Sequence, residues 1–274
     1  RIPTRTQSAL LTVLADGYVE SYDQVLTTGD AAWYLTANDD LGGGTYEVVE
    51  ALRDRIDVTV QALGFNSRFL PGLLARSERG THPERHVPPA VVFSDAEHEE
   101  LSAQVQAVPI EPGTLRRLAF FASQLEVCER AATQFEYRTK DTARLAGGDV
   151  ADLAARTTGR DHLTDIGDQT MSGLSVRAMH TALTYSKAMA YFRGRPSVGL
   201  DDLRAVLPFV LRDKLQPNLD SPAFSTDAGT LLRWDRIAWL RELFDQACRA
   251  YDAAQLEAND PVGDILEELH AGLD

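Results

Sequence analysis

Cysteine is almost absent from this chain: Cys128 and Cys248 are its two in 274 residues. A disulfide-stapled secreted scaffold is thereby excluded. Two thiols in apolar helical surroundings read as buried groups of a reducing, cytoplasmic compartment. No apolar run reaches the roughly 18 residues a membrane span needs, and the N-terminus carries no signal-peptide pattern. Basic residues are scarce beside acidic ones, with 27 Lys+Arg against 41 Asp+Glu and a formal net charge of −14. Such a chain repels a phosphate backbone, which disfavours direct nucleic-acid binding and a nucleic-acid motor. No G-x-x-x-x-G-K-S/T occurs, and Gly42-Gly43-Gly44 is no substitute because no Lys-Ser/Thr follows it. What is present is ordinary globular composition, 44% hydrophobic and 25% charged, in a length that suits one to two domains and a sizeable core.

The chain is organised around the stretch from Ala32 to Asp57. Ala31 to Ala37 is an apolar run rich in strand formers (Trp33, Tyr34, Leu35, Thr36), which reads as a strand buried on both faces. It ends in Asn38, a polar amide at the strand tip, where open α/β sheets hold their ligands. Glu47 to Leu52 reads as a short helix that delivers Arg53, Asp54 and Arg55. Asp57 to Leu63 reads as a second strand, with Val58, Val60 and Ala62 on one face. Read from the residues alone, Asn38 is a loop cap, and Arg55 pairs with Asp54 or Asp57. Upstream, Arg1 to Leu11 reads as a helix start with Pro3 near its first turn, Leu10, Leu11 and Leu14 on its apolar side and Gly17 at its end. Residues 17–31 read as a hairpin with Gly29-Asp30 as the turn before the strand, and Tyr18 and Tyr22 either pack on the sheet or meet a partner.

Residues 64–93 hold Gly64, Pro71, Gly72, Gly80, Pro83, Pro88 and Pro89, which argue against long regular elements. Arg68, Arg76, Arg79, His82, Arg85 and His86 make this the most basic part of an acidic chain, a solvated connection or an anion contact. His82 and His86 have helical metal-pair spacing, but Pro83 lies between them and no cysteine joins them. From Ser94 the pattern turns helical. Ser94-Asp95-Ala96-Glu97 is a capping box, and Thr114 caps a long helix with an apolar stripe through Leu118, Ala122 and Leu125. Residues 139–173 interrupt it with Gly147-Gly148, Gly159, Gly167 and Gly173. Asp161, His162, Asp165 and Asp168 read there as a charged loop rather than an oxygen-ligand metal site. Ser175 then caps a helix that ends at Gly194. Another helix starts near Leu200 and ends near Pro208. Leu231, Trp234, Ile237, Leu240, Phe244, Ala247, Cys248 and Tyr251 mark one amphipathic helix. Its Trp234 reads as packed and Trp239 as a candidate partner surface. Pro261 to Leu273 reads as a last acidic helix.

Two ordered sets of motifs resemble the MoxR family of AAA+ ATPases. The first set is Arg1-Ile2-Pro3 followed by Thr6-Gln7-Ser8-Ala9-Leu10-Leu11, then Asn38, Gly44-Thr45-Tyr46 and Glu50-Ala51-Leu52-Arg53-Asp54-Arg55. The second is Gly173-Leu174-Ser175-Val176-Arg177-Ala178, Gly194-Arg195, Val198 to Leu203, and Val210 to Leu215. Val176 replaces the usual Pro, and Gly199-Leu200 the usual Thr-Pro. The resemblance covers residues 1–63 and about 94–215, and 139–173 looks like an insertion. It implies a partial α/β AAA+ P-loop NTPase core with a parallel sheet over 1–75 and a linker over 76–93. It further implies an all-α lid over 94–215 and a helical C-terminal extension over 216–274. It implies that Asn38 is the sensor 1 residue orienting the attacking water, and that Arg55 is the arginine finger reaching the neighbouring subunit's ATP. Arg177 would be the sensor 2 arginine facing its own nucleotide. Helix N-termini do favour phosphate groups, although a first-turn arginine paired with a nearby carboxylate is the plain reading of Arg177. The implied cofactors are ATP and Mg2+, with the P-loop and Walker B residues expected upstream of residue 1. The implied partners are further copies in a hexameric ring and a protein carrying a von Willebrand factor A domain. The implied activity is ATP hydrolysis coupled to partner remodelling, and the alternative is a non-catalytic helical interaction scaffold with an AAA-like lid.

Overall fold

The computed structural model describes residues 4–21, 24–28, 31–36, 48–62, 64, 66–80, 86–125, 129–130, 137–138, 140, 144, 147 and 166–258. Helix α1 (Thr4–Asp16) turns Gln7 and Val13 inward. Gly17 closes it at φ +68°, in the left-handed region that a side chain resists, and its N–H returns to the Val13 carbonyl at 3.1 Å. The expected hairpin follows. Strands β1 (Tyr18–Ser21) and β2 (Gln24–Thr27) pair antiparallel, with Val19 opposite Leu26.

The buried strand expected at 31–37 is not seen over its described residues, 31–36, which take no regular structure. Trp33 and Leu35 are each 48% exposed and Tyr34 is 92% exposed. A strand buried on both faces needs a paired strand at each edge, and no described residue pairs with this run. Residues 57–62 likewise form no strand. They run extended beside the helical unit, where Thr59 donates its N–H to the Phe209 carbonyl at 3.0 Å and Val58 packs against the main core. Strands β3 (Glu129–Arg130) and β4 (Tyr137–Arg138) make a second antiparallel pair. Among the described residues the sheets are therefore two small hairpins, not the expected parallel sheet. Asn38 and the Gly44-Thr45-Tyr46 motif lie outside the described residues; the short helix after them, α2 (Glu50–Arg55), lies three residues later than the expected Glu47–Leu52 and takes Arg53, Asp54 and Arg55 into its last turn.

The Pro/Gly-rich connection holds a helix after all, α3 (Leu70–Glu78). Pro71 sits in the first turn, where its missing N–H costs nothing, and Gly80 closes the turn beyond the helix at φ +59°. Helix α4 (Asp95–Gln106) starts at the expected capping box: the Glu97 N–H donates to Ser94 Oγ at 3.4 Å, and the Ser94 N–H to Glu97 Oε2 at 2.8 Å.

The core lies among α5 (Pro112–Leu125), α6 (Val176–Phe192), α7 (Leu200–Leu211) and α9 (Arg236–Ala253), the last preceded by the short α8 (Asp227–Leu232). Leu118 and Phe121 of α5, Ala182 of α6, Leu203 and Leu207 of α7 and Leu243 and Phe244 of α9 are all essentially buried. Ala178 and Ala182 of α6 join the core with the α7 leucines, while Ala190 packs apart from it with Val108 and Val198. The Phe121 and Phe244 rings meet edge to face at 5.3 Å and 86°. Helix α5 begins two residues before the expected cap, with Thr114 buried in its first turn. Helix α7 runs through Pro208 to Leu211 instead of stopping there; the proline forgoes a hydrogen bond to the Arg204 carbonyl, and burial of Leu207, Val210 and Leu211 outweighs that loss.

The single helix expected from Leu231 to Tyr251 is two. Asp235 accepts the Ala238 N–H on its side chain at 2.9 Å and starts α9 afresh. The break reverses the reading of the tryptophans: Trp234 falls between the helices and is 85% exposed, whereas Trp239 is 1% exposed in the core. The last expected helix, 261–273, lies outside the described residues.

Candidate functional site

The two motif sets meet at one carboxylate. Helix α2 ends in Arg53, Asp54 and Arg55, with Leu52 as its buried anchor. Its start is tied to α1, since the Val49 N–H donates to Gln7 Oε1 at 2.9 Å. Across from it, Ser175 caps α6 and accepts the Ala178 N–H at 3.0 Å. The same hydroxyl donates to Asp54 Oδ1 at 2.5 Å, and Arg177 Nη1 donates to Asp54 Oδ2 at 2.7 Å. Lys214, just after α7, donates from Nζ to the Asp54 carbonyl at 2.9 Å. Asp54 thus joins α2 to three groups of the helical unit. Burial lowers the Lys214 pKa, and the charges of Asp54 and Asp57 oppose that shift.

Beneath this junction lies a cleft of about 170 Å³, lined by Glu50, Arg53, Asp54, Arg144, Asp213 and Lys214 and floored by the Ser172–Ser175 turn. Arg144 pairs with Glu50 at 3.0 Å in this lining. Further along α6, Thr181 Oγ1 donates to Asp57 Oδ1 at 3.2 Å, and burial followed by the nearby Asp57 charge raises the Tyr185 pKa. Lys140, from the inserted region, is fully buried and gives its ammonium to the Gly167 carbonyl and to Thr170, which ties that region to the turn before the Gly173–Ala178 motif.

Arg177 shows the carboxylate pairing of its plain reading, yet 47% of its side chain stays exposed and only Nη1 is engaged among the described residues. Arg55 does not show its plain reading. It pairs with neither Asp54 nor Asp57; its Nη1 donates to the Ala51 carbonyl at 3.1 Å, and its buried Nε has no partner among the described residues. Sequence reasoning named Asp54 only as a neighbour for Arg55. The i, i+1 step that points Arg55 away from Asp54 on a helix was the available signal. Asn38, Asp161, His162 and Asp165 lie outside the described residues, as does His82; His86 and Asp168 are described. Among the described residues no three His, Cys, Asp or Glu side chains gather to hold a metal ion, and no helix is long and apolar enough to cross a membrane.

A nucleotide phosphate fits this arrangement in part. The α6 N-terminus, Arg177, Arg53 and Lys214 favour an anion here, while Glu50 and Asp213 line the same cleft and oppose one, and Asp54 already occupies the anion position. Ligands for Mg2+ are not found among the described residues.

Residues 162–230, which include Arg177, match the family model for the AAA lid domain. The chain is also similar to a crystal structure from Cytophaga hutchinsonii described as a "putative ATPase", with a TM-score of 0.57 and 18% identity. That match covers 87% of this chain and 62% of the other, so the chain spans less than two thirds of its neighbour's length. At that identity the likeness speaks for the fold. No match to a curated protein was found. The family model thus places the helical lid of AAA proteins within this chain, and the structural likeness agrees with it at the level of fold.

Proposed function

We propose that this chain is the later part of a MoxR-type AAA+ ATPase, carrying the end of the α/β core over 1–75 and the helical lid over 94–215. The observation that carries the reading is Arg177: it stands on the first turn of a helix inside the matched lid segment, opposite α2 and its Arg55. ATP with Mg2+ would supply the phosphoryl group that water accepts. In this chain Arg177 would hold phosphate charge within its own subunit. Arg55 would leave α2 to serve the neighbouring subunit's ATP, an effect worth about 10³–10⁵-fold in rate for arginine fingers. Asn38 would orient the attacking water. Ring assembly follows from the need for Arg55 in trans; a hexamer and a partner with a von Willebrand factor A domain complete the reading.

The test is subunit mixing in the full-length protein. Arg55→Ala should abolish hydrolysis with nucleotide affinity nearly intact, whereas Arg177→Ala should weaken nucleotide binding. Rings of Arg55→Ala subunits mixed with subunits lacking the Walker B glutamate should recover partial turnover. Mixed rings that form yet stay inactive would remove Arg55 from the trans role and make Arg53 the next candidate. Residues 1–274 alone, without a G-x-x-x-x-G-K-S/T motif, should show no turnover above a protein-free blank. A full-length protein that neither binds nor hydrolyses ATP would support the interaction scaffold instead.

A further inference from the structure

Asp54 sits where an anion is wanted. It faces the N-terminus of the 17-residue α6, takes the capping hydroxyl of Ser175 at 2.5 Å, and takes Arg177 Nη1 at 2.7 Å. Its own carbonyl is held by Lys214 at 2.9 Å. A phosphate that engaged Arg177 and this helix end would need the same donors. Asp54 also precedes Arg55, whose Nε is buried without a partner among the described residues, so the groups that restrain Asp54 restrain the helix that delivers Arg55.

We propose that Asp54 is a positioning residue whose carboxylate holds Arg177 and the α6 cap until a nucleotide phosphate displaces it. The displacement releases the end of α2 with Arg55. This inference rests on the nucleotide reading of Arg177 and adds to it the element that couples the two arginines. Before displacement, α2 is clamped to the lid through both the side chain and the carbonyl of Asp54. Afterwards the Lys214 bond to the carbonyl remains as a hinge, and Arg55 is free to find an acceptor beyond its own helix.

Competition has a signature that a merely structural role lacks. Asp54→Asn keeps the shape and removes the charge. In the full-length protein it should bind ATPγS more tightly, by about threefold to fivefold for a partly exposed ion pair. Arg177→Ala should weaken ATPγS binding, and the double variant should tighten it relative to Arg177→Ala by no more than about twofold, the part owed to Ser175. If Arg177→Ala weakens binding but Asp54→Asn leaves affinity unchanged or lower, Asp54 does not compete, and the nucleotide reading stands without it. If Arg177→Ala changes neither affinity nor turnover, the reading and the inference fail together. Should Asp54→Asn not fold, Ser175→Gly provides the second variant, since glycine is tolerated at a helix cap. It should tighten ATPγS about twofold by weakening the same clamp, and no tightening there overturns the inference.

Discussion

Trp239 donates its indole N–H to Gln169 Oε1 at 3.3 Å inside the core, and Gln169 Nε2 donates onward to Gln246 Oε1 at 2.8 Å. Gln169 is 3% exposed, and its carbonyl also accepts the Asn218 N–H at 2.9 Å. One amide therefore fastens the turn before the Gly173–Ala178 motif to α9. Gln169→Leu would strand the Trp239 donor away from water. We expect a loss of about 1–3 kcal/mol, the usual cost of an unmade buried hydrogen bond, read from urea unfolding. A change below about 0.5 kcal/mol would show that water reaches these groups.

Asp202 is fully buried in the first turn of α7. Its carboxylate takes Arg193 Nη1 at 2.7 Å, Arg195 Nη1 at 3.4 Å and the Gly199 N–H at 3.1 Å. Glycine has no side chain to reciprocate, so Asp202 alone caps the helix. Asp202→Ala should cost about 2–3 kcal/mol, short of the penalty for stranding a fully buried cation because both arginines keep contact with water. Arg195→Ala, which removes the longer and more exposed contact, should cost under about 1 kcal/mol. Equal losses in thermal unfolding of the two variants would contradict this ranking.

Cys248 is 4% exposed on α9, and burial pushes its thiol from 9.0 up to about 11. The folded thiol keeps its proton where the unfolded one releases it. Its contribution to stability is thus complete below about pH 9 and is lost as the pH rises through about 11, with a limit of roughly 2–3 kcal/mol. Urea unfolding across this window should fall more steeply with pH in the natural protein than in Cys248→Ala. Matching slopes would mean the thiol ionises alike in both states.

The elements that sequence reading recovered are closed within a few residues of themselves. The Ser94–Glu97 box, the Ser175 cap, the Gly17 stop and the 17–31 hairpin each depend on side chains or dihedrals three or four positions away. Periodicity failed where a break had to be seen inside a pattern. The stripe from Leu231 to Tyr251 hid the Asp235 cap, and that one break sent Trp234 to solvent and Trp239 to the core. The 31–36 run shows the limit of apolar composition: it states that burial would be favourable and says nothing of which neighbours provide it.

The sequence by itself determined the local grammar of the chain: the helix caps, the hairpin, the acidic balance, and the motif order that resembles the MoxR family. Only the tertiary structure decided that Asp54 answers Arg177, across 123 residues, and not its neighbour Arg55. The reason is geometric. Adjacent helix positions diverge by about a quarter turn, so the carboxylate faced the α6 N-terminus while Arg55 turned back along its own helix, and which helix end would stand opposite α2 was settled by packing among α5, α6, α7 and α9.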